Sequence, residues 1–592
     1  MTIGLVEPAV GPGAAGPDDA LVPARGGSSR RYRFTPSSGI PLLAVAILIF
    51  LVAAPLYRLI EGSFKVRESA GVDRWTLDNY GEAYSSPFTW PTLKNSLIFA
   101  IGSSLVAFAI AFALAWVVER TNVPFARGFI LIAVVPLIVP GILETISWTF
   151  LFSPRTGIVN TAINDVFGVE ELFNIYSLPG MIWVQAVGSV PLAFLLLSAG
   201  FKSMDPALEE AAMASGASTR KTTLRVTFPL LLPASGSALL ILVVRGLEAF
   251  EVPAVLGTPA RIFVYTNEIF RANSEIPPNR GLSAALSVGL LVISALGVWL
   301  LLRLTRHADR FRTVTGKAFR PRRVDLGRWR WLGFGGLMFY ALFAVILPIL
   351  GLVYASTLRF FRTPSREAFG QMSLEPYRIV LGHQNFRSAL KNSLLLAVGA
   401  PTVMMLLAAI VSWVVFKSRR RGAKALEFLA FLPVTIPGLV FGVALILLWA
   451  TNPIPIYGTM WLLLIAYITR FLPYGMRFVS GSMLQISSEL EEAANASGAS
   501  WWQTFRRITL PLLRPGLTAG WIYACIISFR EFSSSVLLVG PNTNVLSVQL
   551  FNFWQGGYVT EVAAMGVLMV ATLLVIVGVF YKLTGRVGVQ QV

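Results

Sequence analysis

The chain has 592 residues, of which 55% are hydrophobic and 13% charged, about half the ~25% of charged residues in a soluble globular domain. So few charges cannot cover the surface of a water-soluble protein of this size, and the mean hydropathy of +0.67 agrees; the composition is that of a polytopic membrane protein. The net charge of +19 then fits Lys and Arg gathered in cytoplasmic loops rather than nucleic-acid binding. The one cysteine, Cys525, excludes an intrachain disulfide and a Cys-based metal site, and His307 and His383 leave little for histidine chemistry.

Residues 1–40 read as a disordered cytoplasmic tail, because Gly4 to Ser29 is mostly Gly, Pro, Ala and Asp and cannot bury a core. Arg25, Arg30, Arg31 and Arg33 precede the first apolar run, which is long enough to span, and are expected to hold the N-terminus inside. Twelve runs of spanning length follow, near 41–61, 96–118, 129–152, 179–200, 234–256, 282–304, 332–356, 393–416, 427–450, 459–480, 516–539 and 562–584. The five inner connections 119–128, 201–233, 305–331, 417–426 and 481–515 hold 2, 4, 9, 5 and 3 basic residues. The outer segments 153–178, 451–458 and 540–560 contain only Arg155. Outer segment 357–391 breaks the pattern with Arg359, Arg362, Arg366, Arg378, Arg387 and Lys391. The majority sets an inner-membrane orientation with both termini cytoplasmic.

The chain repeats itself. Leu93-Lys94-Asn95-Ser96-Leu97 returns as Leu390-Lys391-Asn392-Ser393-Leu394, and at the same shift of 297 Pro136 and Pro140-Gly141 return as Pro433 and Pro437-Gly438. The expected fold is therefore all-α, with about twelve transmembrane helices in two parallel six-helix repeats, since an even number of spans gives both copies the same orientation. The halves are 41–304 and 332–584, joined by a basic cytoplasmic linker at 305–331 and followed by a short tail at 585–592.

The strongest signal is the inner loop after the fourth span of each half, 205–233 and 487–515. Leu208 to Pro233 and Leu490 to Pro515 match at 17 of 26 positions at a shift of 282. Asp205 and Ser487 sit where a helix N-cap is wanted, with Glu209, Glu210, Glu491 and Glu492 in the first turns. Gly216 and Gly498 suit a left-handed residue that ends the helix, Ser218 and Ser500 can cap the next one, and Pro229 and Pro511 are expected to stop it. A capped surface loop explains one copy; two near-identical copies at equivalent places call for a shared partner.

Glu210-Ala211-Ala212, Gly216, Val226 and Phe228-Pro229, with Glu492-Ala493-Ala494, Gly498, Ile508 and Leu510-Pro511, resemble the EAA loop of ABC importer permeases. The first copy has Val and Phe where Ile and Leu are usual. The resemblance covers about 41–584 and implies a fused type I permease of MetI-like fold, with both membrane halves in one chain. It implies that each loop docks a helix on an ATPase subunit, two copies in all, and that an extracytoplasmic binding protein delivers the substrate. No G-x-x-x-x-G-K-[ST] occurs in the chain. That points to a transport subunit without catalysis or cofactor of its own. The motif places the functional carboxylate just before Ala-Ala, so Glu210 and Glu492 are expected to matter more than Glu209 and Glu491.

Charges inside spans are costly and are functional candidates by default. Glu144 follows Pro140-Gly141 in the third span, and its repeat partner is Phe441. Arg245, Glu248 and Glu251 lie around the fifth span, with the two glutamates expected on one helical face. Arg530 and Glu531 lie in the matching region of the eleventh, and Arg470, Tyr474 and Arg477 in the tenth. Mutual ion pairing that fixes packing is the competing explanation. The fused architecture and the Phe250-Glu251-Val252-Pro253 run look most like ferric-ion permeases; thiamine, aminoethylphosphonate and polyamine permeases are the alternatives. Carboxylates suit iron(III) or polyamines, and buried arginines suit an anion. An ion-driven secondary transporter using Glu144 and Glu251 leaves the duplicated loops unexplained.

Overall fold

A computed structural model describes residues 39–67, 73–204, 206–305, 323–417, 422–450 and 452–584. The expectations for the N-terminal tail with its arginines, for Asp205, for Arg306, Arg310, Arg312, Lys317, Arg320 and Arg322 in the linker, and for the C-terminal tail lie outside these residues. The described chain is almost wholly helical, apart from a small hairpin in which Lys65–Arg67 pairs with Asp73–Trp75.

Eight helices are long and apolar enough to cross a membrane: Leu42–Ser63, Thr89–Arg120, Leu178–Lys202, Arg280–Leu300, Gly327–Ser356, Gln384–Phe416, Met460–Met483 and Val559–Val579. Four further helix pairs pass the same test together but are bent at a short break, which makes twelve spans when each pair is counted as one. The third and ninth spans, Gly128–Leu137 with Gly141–Phe152 and Ala423–Thr435 with Gly438–Trp449, bend by 101° and 110°. The cause is local: Pro140 and Pro437 have extended backbone and open the second helix of each pair, as a residue without an N–H should. The fifth and eleventh spans bend by 59° and 69°.

Pro229 and Pro511 do not stop the loop helices, as their chemistry suggested. A wide π-turn at Thr223–Thr227 and another at Phe505–Thr509 carry the helix past each proline, because the widened turn relieves the clash of a proline ring in the preceding turn. The bend falls later, at Leu231 and Leu513, just before helices with proline in their first turn.

The halves pack alike inside and exchange elements between them. The second span packs on the fourth and fifth, and the eighth on the tenth and eleventh. The first span crosses to the ninth span of the other half, and the seventh crosses to the third. The Lys-Asn-Ser repeat explains itself here. Asn95 donates to the Phe263 carbonyl at 3.0 Å and Ser96 accepts from Tyr265 N–H at 2.7 Å. Asn392 donates to the Asn544 carbonyl at 3.0 Å and Ser393 accepts from Leu546 N–H at 2.8 Å. In each half the motif pins the irregular chain that follows the broken fifth-position span, satisfying backbone groups that lipid cannot.

The described end of the linker is a short strap. Val324 pairs with Thr121 as an isolated parallel bridge, its N–H donating to the Arg120 carbonyl at 2.7 Å. Asn122 accepts from Leu326 N–H at 3.1 Å and donates to Asp325 at 2.5 Å. The Gly327 N–H and the Asn122 amide hold the Asp325 carboxyl below its usual range.

Candidate coupling loops and translocation pathway

Both loops adopt the same capped helix. The first helix is Pro206–Ala214 and the second Ser488–Ala496. Gly216 has φ +86° and Gly498 φ +80°. The next amide reaches back in each, Ala217 to the Ala212 carbonyl at 3.1 Å and Ala499 to the Ala494 carbonyl at 3.0 Å, which is the Schellman ending. A Cβ at either glycine would meet nothing within 4 Å, so backbone angle alone demands glycine there. Ser487 accepts from Glu489 N–H, and Ser500 forms a reciprocal capping box with Gln503. Ser218 accepts from Lys221 N–H at 3.4 Å.

The adjacent glutamates of each loop face different ways. Glu209 is buried, 3.0 Å from Arg120 Nη1, and accepts from Thr227 at 2.7 Å. Its equivalent Glu491 accepts from Thr509 at 3.2 Å, while Lys417, the repeat partner of Arg120, donates to the Ile486 carbonyl. Glu210 and Glu492 are exposed, as are Ala211 and Ala493; Ala212 and Ala494 are half-buried. Neighbouring helix positions point about 100° apart, so one carboxylate fastens the loop and the next is presented outward. Arg120 was not apparent from sequence, because a basic residue at the inner end of a span reads as an ordinary interfacial charge.

The intramembrane charges gather where the helices break. The fifth-span helix ends at Glu248, with Ala249 extended, and the eleventh-span helix ends at Phe529. Glu248 and Glu251 therefore do not share one continuous helical face: the chain leaves the helix between them, ahead of Pro253. Arg470, from the tenth span, pairs with Glu531 at 2.7 Å, and the same carboxylate accepts from Ser534 N–H and Oγ. Arg530 is not the partner of Glu531; it donates across the half boundary to the Leu137 carbonyl, which the break before Pro140 has left without a helical partner. The charges acting on Glu144 are Arg530, Glu251 and Arg245, and those acting on Glu248 are Arg470, Arg245 and Glu531. Among the described residues, one oxygen of Glu144 and one of Glu248 have no hydrogen-bond partner.

The repeated Pro-Gly pairs make room for this cluster. A Cβ at Gly141 would strike the Glu251 carboxylate, and one at Gly438 the Arg470 guanidinium. Beside Glu144, an apolar cavity of about 180 Å³ lies between the third, seventh and twelfth spans. In the other half Phe441 is buried at the equivalent position. On the side of the charges away from the two loops, Phe250, Phe270, Phe532 and Phe551 form an aromatic cluster, two from each half, with Phe250–Phe270 centroids 5.0 Å and Phe532–Phe551 centroids 5.2 Å apart. On the loop side, Arg245, Tyr474, Arg477 and Tyr523 are exposed. Among the described residues no three of His, Cys, Asp and Glu are grouped to hold a metal ion. The cluster holds groups of both signs, so it can meet a charged solute without being a fixed chelate.

Residues 404–586 match the family described as binding-protein-dependent transport system inner membrane component. Residues 404–586 thus carry a binding-protein-dependent permease domain. Over a longer stretch the permease is 26% identical to the ferric transport system permease protein FbpB of Actinobacillus pleuropneumoniae, across 84% of this chain and 72% of that one. It is also 26% identical to a putative ferric transport system permease of Haemophilus influenzae, across 77% and 71%. A putative 2-aminoethylphosphonate permease of Salmonella paratyphi A is 27% identical across 30% of this permease and 68% of its own length.

Proposed function

We propose that this permease is the membrane subunit of an ATP-driven, binding-protein-dependent importer of iron(III), seated in the inner membrane with both termini cytoplasmic. The carrying observation is the likeness to ferric permeases along most of the chain, joined to two EAA-like loops with identical glycine endings. In this reading each loop seats on one of two separate ATPase subunits, with Glu210, Ala211, Ala212 and Gly216, and Glu492, Ala493, Ala494 and Gly498, forming the contact. Solute passes between the halves, closed outward by the four phenylalanines, and meets Glu144, Glu248, Glu251, Arg530 and Glu531. Rotation of the docked loops would be carried to these charges through the fifth and eleventh spans, which run from loop to cluster without an intervening connection.

The charged cluster lines the route rather than selecting the metal, and selectivity then belongs to the binding protein. A 2-aminoethylphosphonate cargo is the second reading, favoured by the partial likeness to that permease and by the three arginines among the charges. Uptake of labelled iron(III), thiamine and 2-aminoethylphosphonate by the reconstituted complex decides between them. ATP-dependent accumulation of the phosphonate without accumulation of iron overturns the first reading.

A further inference from the structure

The outer segment between the seventh and eighth spans carries charge in the wrong place for membrane orientation. Residues 357–391 hold six basic residues against Glu367 and Glu375, whereas the equivalent residues 64–94 of the first half hold Lys65, Arg67, Arg74 and Lys94 against Glu68, Asp73, Asp78 and Glu82. The segment follows an odd number of crossings and the EAA-like loops an even number, so it lies on the opposite face from those loops. Basic residues on that face oppose the usual charge bias.

The segment is a built platform. Helix Arg366–Gly370 is capped by Ser365 and followed by helix Glu375–Gly382. Ser373 N–H donates to the Thr357 carbonyl at 2.7 Å, closing the loop. Tyr377 bonds Ser356 at 2.7 Å, Tyr354 donates to the Arg362 carbonyl, and Leu358, Ala368 and Tyr354 form a small core that includes Ile158 from the first half. Arg359 is spent on Glu375 at 3.6 Å and Arg387 on the Leu381 carbonyl. Arg362, Arg366 and Arg378 are exposed and in no ion pair among the described residues. Phe360 and Leu374 of the same segment are 69% and 72% exposed. Next to this platform, helix Ile158–Phe167 and the turn after it carry exposed Asp165, Glu170 and Glu171, the last of them 3.7 Å from Arg155.

We infer that the platform of Arg362, Arg366 and Arg378 is the docking surface for an acidic face of the extracytoplasmic binding protein, and that it fixes which lobe sits on which half. The inference rests on the importer reading. A basic platform beside an acidic helix matches a patterned protein surface, whereas an anionic headgroup layer would be repelled by the second element. The first half's equivalent segment has no net charge, so a two-lobed partner turned by half a revolution loses the contact. Rim charges of this kind act on association rate and salt dependence.

The test uses the permease–ATPase complex in neutral phosphatidylcholine nanodiscs and in nanodiscs with added phosphatidylglycerol, titrated with the iron(III)-loaded binding protein. The triple variant Arg362→Glu, Arg366→Glu, Arg378→Glu should bind at least tenfold more weakly in both lipids and lose most of the salt dependence. The triple glutamine variant should fall between, and Lys94→Glu in the first half should change affinity less than twofold. Basal ATP hydrolysis without binding protein should be unchanged in all. Equal affinity of the triple variant and the parent, or an equal loss in Lys94→Glu, overturns the docking surface. A loss confined to phosphatidylglycerol discs overturns it in favour of lipid headgroups. If the parent complex binds only a phosphonate-loaded protein, the iron reading fails instead, and the same variants are then measured with that protein.

Discussion

Phe250 and Phe532 occupy equivalent positions 282 residues apart and stack on each other, with ring centroids 5.8 Å apart and planes 15° from parallel. The approximate two-fold relation between the halves therefore passes between two identical side chains. Two residues earlier in each copy the chemistry is opposed, Glu248 in the first and Arg530 in the second. The closure is symmetric in aromatic surface and complementary in charge. Phe532→Leu keeps an apolar side chain and removes the stack, worth about 1 kcal/mol. Melting temperature should fall by only a few degrees, while ATP hydrolysis without binding protein should rise severalfold. Unchanged basal hydrolysis would count against the aromatic closure.

Gly216→Pro and Gly498→Pro should each abolish uptake while leaving the protein in the membrane. Proline is locked near φ −65°, and these residues sit at +86° and +80°, so the loop helix must leave at a different angle. Uptake and stimulated ATP hydrolysis are the readouts. Parental values in both single variants would show that the joint does not transmit coupling.

The two glutamates of the first loop should fail in different ways. Glu209→Ala leaves Arg120 buried without its carboxylate, a loss of about 3–5 kcal/mol when one partner of a buried pair is removed. Thermal stability should drop sharply. Glu210→Ala should melt like the parent and lose stimulated hydrolysis, because its carboxylate is exposed. A melting curve and an ATPase assay on the same samples separate the two, and identical behaviour contradicts the division of labour.

Glu144→Gln should express and melt nearly as the parent does and transport several times more slowly. Glu144 makes no ion pair within 4 Å among the described residues, and one of its oxygens is unpartnered. A packing role would need such a partner; a carboxylate placed to meet a passing charge does not. A large loss of stability with a proportionate loss of uptake would make Glu144 a buried structural partner, and parental uptake would remove it from the route.

Phe125 has φ +60°, and its repeat partner Gly422 has φ +98°. A left-handed residue other than glycine costs about 1–2 kcal/mol, and Phe125 is 77% exposed, so little packing offsets it. Phe125→Gly should therefore leave the melting temperature unchanged or raise it by a few degrees. A clear drop would mean that its contact with Phe334 outweighs the strain.

Much of this arrangement is legible in sequence because it rests on local chemistry. Pro140-Gly141 and Pro437-Gly438 announce a break, Gly216 and Gly498 announce a left-handed ending, and run length counts the spans. What escaped depends on distant pairing. The EAA-like motif singles out Glu210, but nothing in the loop says that Glu209 fastens it until Arg120 is seen beside that carboxylate. The stop of the fifth-span helix at Glu248 is hidden because apolar residues continue to Leu256, so hydropathy shows no break. The joining of Arg470 to Glu531, rather than Arg530 to Glu531, follows from two helices separated by sixty residues.

The crossing of leading helices sets a problem of timing for synthesis. Phe50 in the first span meets Trp449 of the ninth edge-on, with centroids 5.9 Å apart, and roughly 400 residues of chain separate them. At about 5–20 residues per second, the first span enters the bilayer roughly 20–80 s before its partner is made. For that interval its future contact surface faces lipid or the insertion machinery. The sixth span, which also packs on the first, emerges well before the ninth and can shelter part of it. A nascent first half released on its own would carry an unfilled seam on each side, so quality control of membrane insertion can recognise truncated chains by that seam.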